Sequence, residues 1–315
     1  MAGQPGVAAR FFNNLGRAGI NVRAIAQGSS ERNISAVINS DDVTRALRAV
    51  HSGFYLSAKT LSVGVIGTGV VGGTLLDQLY RQSSRLHDRF GLDLRIRAIA
   101  RSEGMLLGER AINLQDWRAS LANPEMPVDF EQFTDHVNSD QLPYAVIIDC
   151  TADDGIAGRY AEWLRRGIHV VTPNKKAFSG SQSYYESLRE SAVEGGSLYL
   201  YETTVGAALP IVKTVRDLVN TGDTIHSVKG ILSGTLAYLF NVYNGSKPFS
   251  EIVRDARDNG YTEPDPRDDL SGMDVARKLT IIARELGQSI EIGDFPVESI
   301  VPEKLVDSSV EDFLS

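Results

Sequence analysis

The stretch GYTEPDPRDDLSGMDVARK, residues 260–278, sets carboxylates, prolines and glycines ahead of a closing Arg-Lys pair. Glu263, Asp265, Asp268 and Asp269 fall in a proline-interrupted loop, and Ser271 or Asp269 is placed to cap a helix starting near Gly272. On such a helix Asp274 and Lys278, four positions apart, share one face. A lysine held by a carboxylate has the means to give a proton to a carbonyl oxygen as hydride reaches its carbon. Spare carboxylates would suit a substrate ammonium. Two other readings use the same residues. An Asp and a Lys at this spacing form an exposed helix pair worth a few tenths of a kcal/mol. Acid clusters also hold divalent cations, but DPRDDLSGMD lacks the alternate-position ligands and terminal Glu of a calcium loop.

Hydride chemistry needs a cofactor, and VGVIGTGVVGG offers a place for one. Gly67-x-Gly69-x-x-Gly72 follows an apolar strand and precedes an amphipathic helix. Gly67 permits the tight turn, Gly69 lets the backbone approach a pyrophosphate, and Gly72 lets helix and strand pack closely; free N–H groups and a positive dipole end then face the anion. Gly67, Gly69, Val70, Val71 and Gly72 are the candidate cofactor-binding set, against the alternative of a ligand-free glycine turn. The next strand ends in AIARS, where Arg101 and Ser102 favour NADP over NAD, because an Arg meets a 2′-phosphate where an acidic residue would accept from a 2′-hydroxyl. Asp93, at the start of that strand, is expected to point away from the crevice. Thr151 after VIIDC and Asn174-Lys175 after HVVTP fall at carboxyl ends of parallel strands, the edge where open α/β sheets bind ligands.

The elements that must hold these residues follow from periodicity. LSVGVIG, LRIRAIA, YAVIIDC, IHVVTPN and SLYLYE read as strands, and VVGGTLLDQLYRQSS, GIAGRYAEWLRRG and SYYESLRESAVEGG as helices. Their alternation predicts a Rossmann-type α/β domain with a parallel sheet. From Arg101 to Gln141 the signal is weak. After residue 202 helices dominate, with IHSVKGIL a further strand, so an α+β second domain is expected. Upstream, Val7, Phe11, Phe12 and Leu15 sit at helical spacing, INVRAIAQG and RNISAVINS alternate like strands, and DDVTRALRAVHSGF begins a helix with an Asp cap. The expected domains are 1–57, 58–201 and 202–315.

Composition narrows the function classes. A 315-residue chain with 42% hydrophobic residues has enough apolar material for about two cores. A net charge of −8 gives no global attraction to nucleic acid or an anionic membrane. No apolar run approaches the roughly 20 residues a spanning helix needs, and the opening MAGQPGVAARFFNNLG is no secretory signal. One cysteine, Cys150, excludes an internal disulfide and fits a reducing compartment: cytoplasm, or plastid if the source is a plant. As the only candidate for an acyl-enzyme nucleophile it has no His nearby in sequence, and reads as a buried structural thiol. His51, His87, His136, His169 and His226 show no zinc-ligand spacing.

GYTEPDPRDDLSGMDVARK, with VTPNKKAFS, YETTVGAALPI and GILSGTLAYLF, resembles the homoserine dehydrogenase family over about residues 60–315. GINVRAIAQGSSERNISAVI resembles the later part of an ACT domain lacking its first strand, and its run into LRAVHSGFYLS is similar to the junction in bifunctional aspartokinase/homoserine dehydrogenases. The resemblance implies reversible NAD(P)H reduction of L-aspartate 4-semialdehyde to L-homoserine. It implies Lys278 as proton donor, Lys175 at the junction of cofactor and substrate, Glu263 and Asp274 holding the amino acid with Asp269 in support, and Gly260 on the nicotinamide side. It also implies a monovalent cation, commonly sodium, at Glu202 and the backbone oxygens of Val205, Ala207 and Leu209. The residues alone read there as a glycine-containing turn capping a helix. Threonine as allosteric ligand follows from the resemblance too; Gln27–Ser30 is the candidate ligand-facing turn, and a homo-oligomer is expected. The family continues past VEDFLS and places a kinase domain ahead of the ACT piece, so the expectation is of poor folding or little turnover. The alternative function is an impaired fragment serving only as an amino-acid-sensing or assembly module.

Overall fold

The computed structural model describes residues 4–28, 32–55, 60–124, 126–139, 142–207, 209–262 and 265–314. The chain divides into two compact units. One comprises Met1–Thr151, Arg159–Val171 and Ser191–Leu200, the other Ala152–Gly158, Thr172–Glu190 and Tyr201–Ser315.

The first unit begins with α1 (Val7–Arg17), β1 (Ala24–Gln27), β2 (Ile34–Val37) and α2 (Val43–Tyr55). The strands are antiparallel, with Ala24 opposite Val37 and Gln27 opposite Ile34. Leu15, Ile20 and Ala46 are buried, and Phe11 and Phe12 pack against them as their helical spacing requires. The Asp cap expected for α2 takes another form. Asp41 and Asp42 lie in a 3-10 turn that runs into the helix, and Asp42 accepts from Arg45 at 2.6 Å.

The remainder of this unit is a six-stranded sheet made of β3 (Thr60–Ile66), β4 (Asp93–Arg101), β5 (Gly104–Leu107), β6 (Tyr144–Asp149), β7 (His169–Val171) and β8 (Tyr199–Leu200), in the order β5-β4-β3-β6-β7-β8. Every pairing is parallel except β4 with β5. The intervening helices along the chain are α3 (Val70–Phe90), α4 (Trp117–Ala122), α5 (Phe130–Val137), α6 (Asp154–Ala157), α7 (Tyr160–Arg165) and α8 (Gln182–Gly195). Val63, Val65, Ile96 and Ile99 from the central strands close the core with Leu76 of α3 and Trp117 of α4. Gly64 lets α5 approach, since a Cβ there would stand 2.7 Å from Phe133 and Val137. The topology is that of the doubly wound sheet, and its direction of winding reverses between β3 and β6.

The weak stretch after Arg101 holds β5, α4 and α5. Hairpin strand β5 is only four residues long, too short to show a period. The single helix expected in GIAGRYAEWLRRG is interrupted at Gly158-Arg159.

The second unit carries α9 (Ile211–Asn220), α10 (Gly234–Val242), α11 (Phe249–Asp258), α12 (Pro266–Leu270), α13 (Met273–Glu285) and α14 (Val310–Leu314). Leu239, Ile252, Val253, Ala256, Leu270, Val301 and Leu314 form an apolar core. The strand expected in IHSVKGIL is absent: residues 225–232 pair with no described strand, and Ile231 is 81% exposed. Alternating residues make a strand only where another strand offers its N–H and C=O groups.

Candidate active site

Two sets of predicted residues come together, one in each unit. In the first, Gly67 takes φ +85 and donates its N–H to the Ala100 carbonyl at 2.9 Å. A Cβ on Gly67 would meet Thr151 Cγ2 at 2.7 Å, and one on Gly72 would meet the Gly67 carbonyl oxygen at 1.9 Å. Packing alone therefore demands both glycines. Gly69 is different: its φ is −66, and a Cβ there would find nothing within 4 Å. Packing does not require it, so its missing side chain serves the open space before the turn. The first N–H groups of α3 have no side-chain cap and no acidic neighbour in the first turn, while Val70 and Val71 stand exposed beside them. Uncapped N–H groups at the start of a long helix suit an anion, so these residues fit the pyrophosphate of a dinucleotide.

The end of β6 borders the same turn. Thr151 donates its N–H to Asp149 at 2.8 Å, and the buried Asp149 also accepts from the Tyr160 hydroxyl. Burial, followed by the charge of Asp149, pushes the Cys150 thiol up to about 11. Nucleophilic thiols are shifted the other way. At pH 8 its alkylation by iodoacetamide is expected to run about 100-fold slower than that of a free thiol of pKa about 8.5, followed by intact mass. Arg101 ends β4, with its Nε 3.1 Å from the Glu103 carboxylate in the hairpin turn. Asp93 lies at the other end of β4, bound by Arg95.

In the second unit, Asp274 opens α13 and bridges two lysines. Its Oδ2 lies 2.5 Å from Lys278 Nζ, and its Oδ1 lies 3.2 Å from Lys175 Nζ. Lys278 Nζ also donates to the Leu232 carbonyl at 2.6 Å. The Lys278 side chain is 15% exposed and that of Asp274 25%, so this is no solvated surface pair. Two ammoniums share one carboxylate, which leaves an excess positive charge suited to an oxygen that gains negative charge.

Burial pushes the Asp274 carboxyl up, but the hydrogen bond from Lys278 and the charges of both lysines outweigh it, and the group titrates below its usual 3.8. A depressed carboxyl contributes stability above its unfolded pKa and loses it as pH falls through the lower folded value. Asp274→Asn is expected to unfold at lower urea than the parent near neutral pH. That gap should narrow as pH drops below about 3.9, which urea titrations across the acid range would measure.

The segment around these residues departs from a loop leading into a helix. Asp265 caps the short α12 by accepting from the Arg267 N–H at 3.0 Å, and Pro266 takes its first position, where no N–H is needed. Asp269 is a buried residue of α12, and the N-cap of α13 is Gly272. The Ser271 hydroxyl accepts from the Met273 N–H at 3.3 Å, and Gly272 turns into α13 at φ +76. Glu263 lies outside the described residues. Gly260, at φ +72, ends α11 by donating to the Arg257 carbonyl at 2.9 Å, while Tyr261 donates to that of Ala256 at 2.8 Å. This helix termination accounts for the glycine by itself.

Glu202 lies in a 3-10 turn, where one carboxylate oxygen accepts from the Lys213 N–H at 2.8 Å and the other is buried without a hydrogen-bond partner. Val205 is buried, Ala207 takes φ +49 and Leu209 is exposed. Among the described residues no group of three or more His, Cys, Asp and Glu side chains forms a metal cluster. Of the Gln27–Ser30 turn, Ser29 and Ser30 lie outside the described residues. No described helix is long and apolar enough to cross a membrane.

A doubly wound sheet with an uncapped glycine turn at its switch point defines a dinucleotide-binding class of fold. Comparisons with known proteins narrow the class. The profile described as homoserine dehydrogenase, NAD binding domain, matches residues 67–202; that described as homoserine dehydrogenase matches 210–313, and an ACT domain profile matches 1–54. Homoserine dehydrogenase of Schizosaccharomyces pombe is 40% identical over 268 residues, which cover 82% of this chain and 71% of that protein. The chain belongs to the homoserine dehydrogenase family. Chloroplastic bifunctional aspartokinase/homoserine dehydrogenase 1 of Arabidopsis thaliana is 52% identical over 316 residues, covering 100% of this chain and 35% of that relative. The chain thus spans about a third of the length of the bifunctional relatives. A crystal structure of a putative homoserine dehydrogenase from Archaeoglobus fulgidus superimposes with a TM-score of 0.64 at 27% identity, covering 80% of this chain and 74% of that one.

Proposed function

We propose that this chain catalyses the reversible NAD(P)H-dependent reduction of L-aspartate 4-semialdehyde to L-homoserine, a step towards threonine, methionine and isoleucine. The observation that carries the reading is the sharing of Asp274 by Lys175 and Lys278, with Lys278 half-sequestered against the Leu232 carbonyl. The nicotinamide cofactor, when bound, supplies the hydride. Lys278 gives its Nζ proton to the carbonyl oxygen of the semialdehyde and takes it back in the reverse direction. Asp274 holds that ammonium aimed, and Lys175 brings a second ammonium to the same carboxylate. Asp269, with Glu263, serves the substrate ammonium. Gly67, Gly69, Val70, Val71, Gly72 and Thr151 receive the dinucleotide, and Gly260 serves its nicotinamide side. Arg101 and Ser102 in place of an acidic residue support NADP over NAD.

The orphaned oxygen of Glu202 supports a monovalent cation such as sodium, completed by the carbonyls of Val205, Ala207 and Leu209. The ACT profile over residues 1–54 supports amino-acid regulation, with threonine as effector and a homo-oligomer as the working form. A reducing compartment, cytoplasmic or plastidic, suits the unpaired Cys150. The test is the absorbance of NADH and NADPH, side by side, with L-aspartate 4-semialdehyde. Semialdehyde-dependent oxidation, faster with NADPH, is the expected result, and no oxidation of either would overturn the reading.

A further inference from the structure

Helix α13 carries Asp274, Arg277, Ile281 and Arg284 at intervals of three and four, which places them on one face. Three of these side chains hold the segment that starts at Lys175. Asp274 meets Lys175 Nζ, Arg277 Nη1 donates to Ser179 Oγ at 3.2 Å, and Arg284 donates to the carbonyls of Phe178 at 2.8 Å and Gly180 at 2.9 Å. Ser179 in turn donates both its N–H and its hydroxyl to the Lys175 carbonyl, at 3.0 and 2.9 Å. Residues 175–179 are thereby closed into one turn, so a shift at Phe178 or Gly180 moves the backbone that carries Lys175.

Arg284 is 1% exposed, and its remaining hydrogen bond runs from Nε to the Ile290 carbonyl at 3.1 Å. Burial lowers its pKa, against the opposing charge of Glu291. All its hydrogen bonds go to backbone carbonyls. Among the described residues Arg284 has no ion pair, only the Tyr185 ring 5.1 Å from its guanidinium carbon; a buried cation so placed is a costly way to fill space, and an apolar side chain of similar length would fill it with less desolvation. The guanidinium has another capacity: its rigid fork fixes two carbonyls, two residues apart in the chain, against one helix face. We propose that Arg284, assisted by Arg277, is a positioning residue that holds Lys175 in register with Asp274 and Lys278.

The inference rests on the reading of these lysines as the reactive groups, so its test includes a measurement made without turnover. Reductive methylation of the full chain, read by mass spectrometry, reports how protected each lysine amine is. Arg284→Met should leave Lys175 more rapidly methylated while Lys278, still held by Leu232, keeps its protection. It should also lower kcat by about 100-fold, the scale of loss for a group misplaced by about 1 Å, with a smaller change in KM. Arg284→Lys, which restores a donor but not the fork, should recover part of both. If Arg284→Met does not fold, Arg277→Met at its half-buried position should give the same pair of changes in smaller measure. Unchanged Lys175 protection in a folded variant overturns the proposal, as does unchanged kcat. Lys278→Ala, assayed in parallel, separates the two ideas: if it retains turnover the functional reading fails, while the methylation result still decides whether Arg284 places Lys175.

Discussion

Lys278→Ala is expected to lower kcat for semialdehyde reduction by about 10²–10⁴-fold, the range that a positioned general acid supplies. The structure sets the conditions for that loss. Lys278 Nζ has two fixed acceptors, the Asp274 carboxylate and the Leu232 carbonyl, and little contact with solvent. An ammonium so placed keeps one N–H direction for a substrate oxygen, and water reaching the emptied site would be a weaker and unaligned acid. KM for the semialdehyde should change less than kcat, because the proton matters when charge develops on the oxygen. Lys278→Arg keeps the charge, but its planar fork cannot reproduce a point donor between a carboxylate and a carbonyl, so it should rescue little. The measurement is the initial rate of NADPH oxidation, with circular dichroism melts to confirm that each variant is folded. A folded Lys278→Ala protein with the parent rate would remove Lys278 from the chemistry.

The parts of the site that were legible in the sequence are those whose chemistry is local. The three glycines and the helix that follows them belong to one short turn, and periodicity gave the strands of the sheet on either side. Asp274 and Lys278 are legible as a spacing, but not as a partly buried pair. The second acceptor of Lys278 is the Leu232 carbonyl, a backbone group that leaves no side-chain signal. Lys175 was placed at a strand end, yet its contact with Asp274 joins positions 99 residues apart, a distance no local pattern encodes. Arg277 and Arg284 do carry a signal: two arginines on the same helix face as Asp274. The missing strand at residues 225–232 is the reverse case, where the alternation is present but no described strand pairs with it.

The glycine turn yields a prediction in which two neighbouring substitutions part company. Gly72→Ala would put a Cβ 1.9 Å from the Gly67 carbonyl oxygen, a distance that neither backbone can accept without α3 moving off β3. Overpacking against backbone is expected to cost about 1–3 kcal/mol or more, so this variant should melt early and bind cofactor poorly through disorder of the whole turn. Gly69→Ala meets no atom within 4 Å and keeps an ordinary φ of −66, so it should fold as the parent does. Its methyl group would nevertheless occupy the space through which a pyrophosphate approaches the N–H groups of α3, and NADPH affinity is expected to fall by about 10-fold or more. Fluorescence titration with NADPH, beside thermal melts of both variants, separates a turn shaped by packing from one shaped by a ligand. If Gly69→Ala bound NADPH as tightly as the parent, the open space before α3 would not be where the phosphates sit.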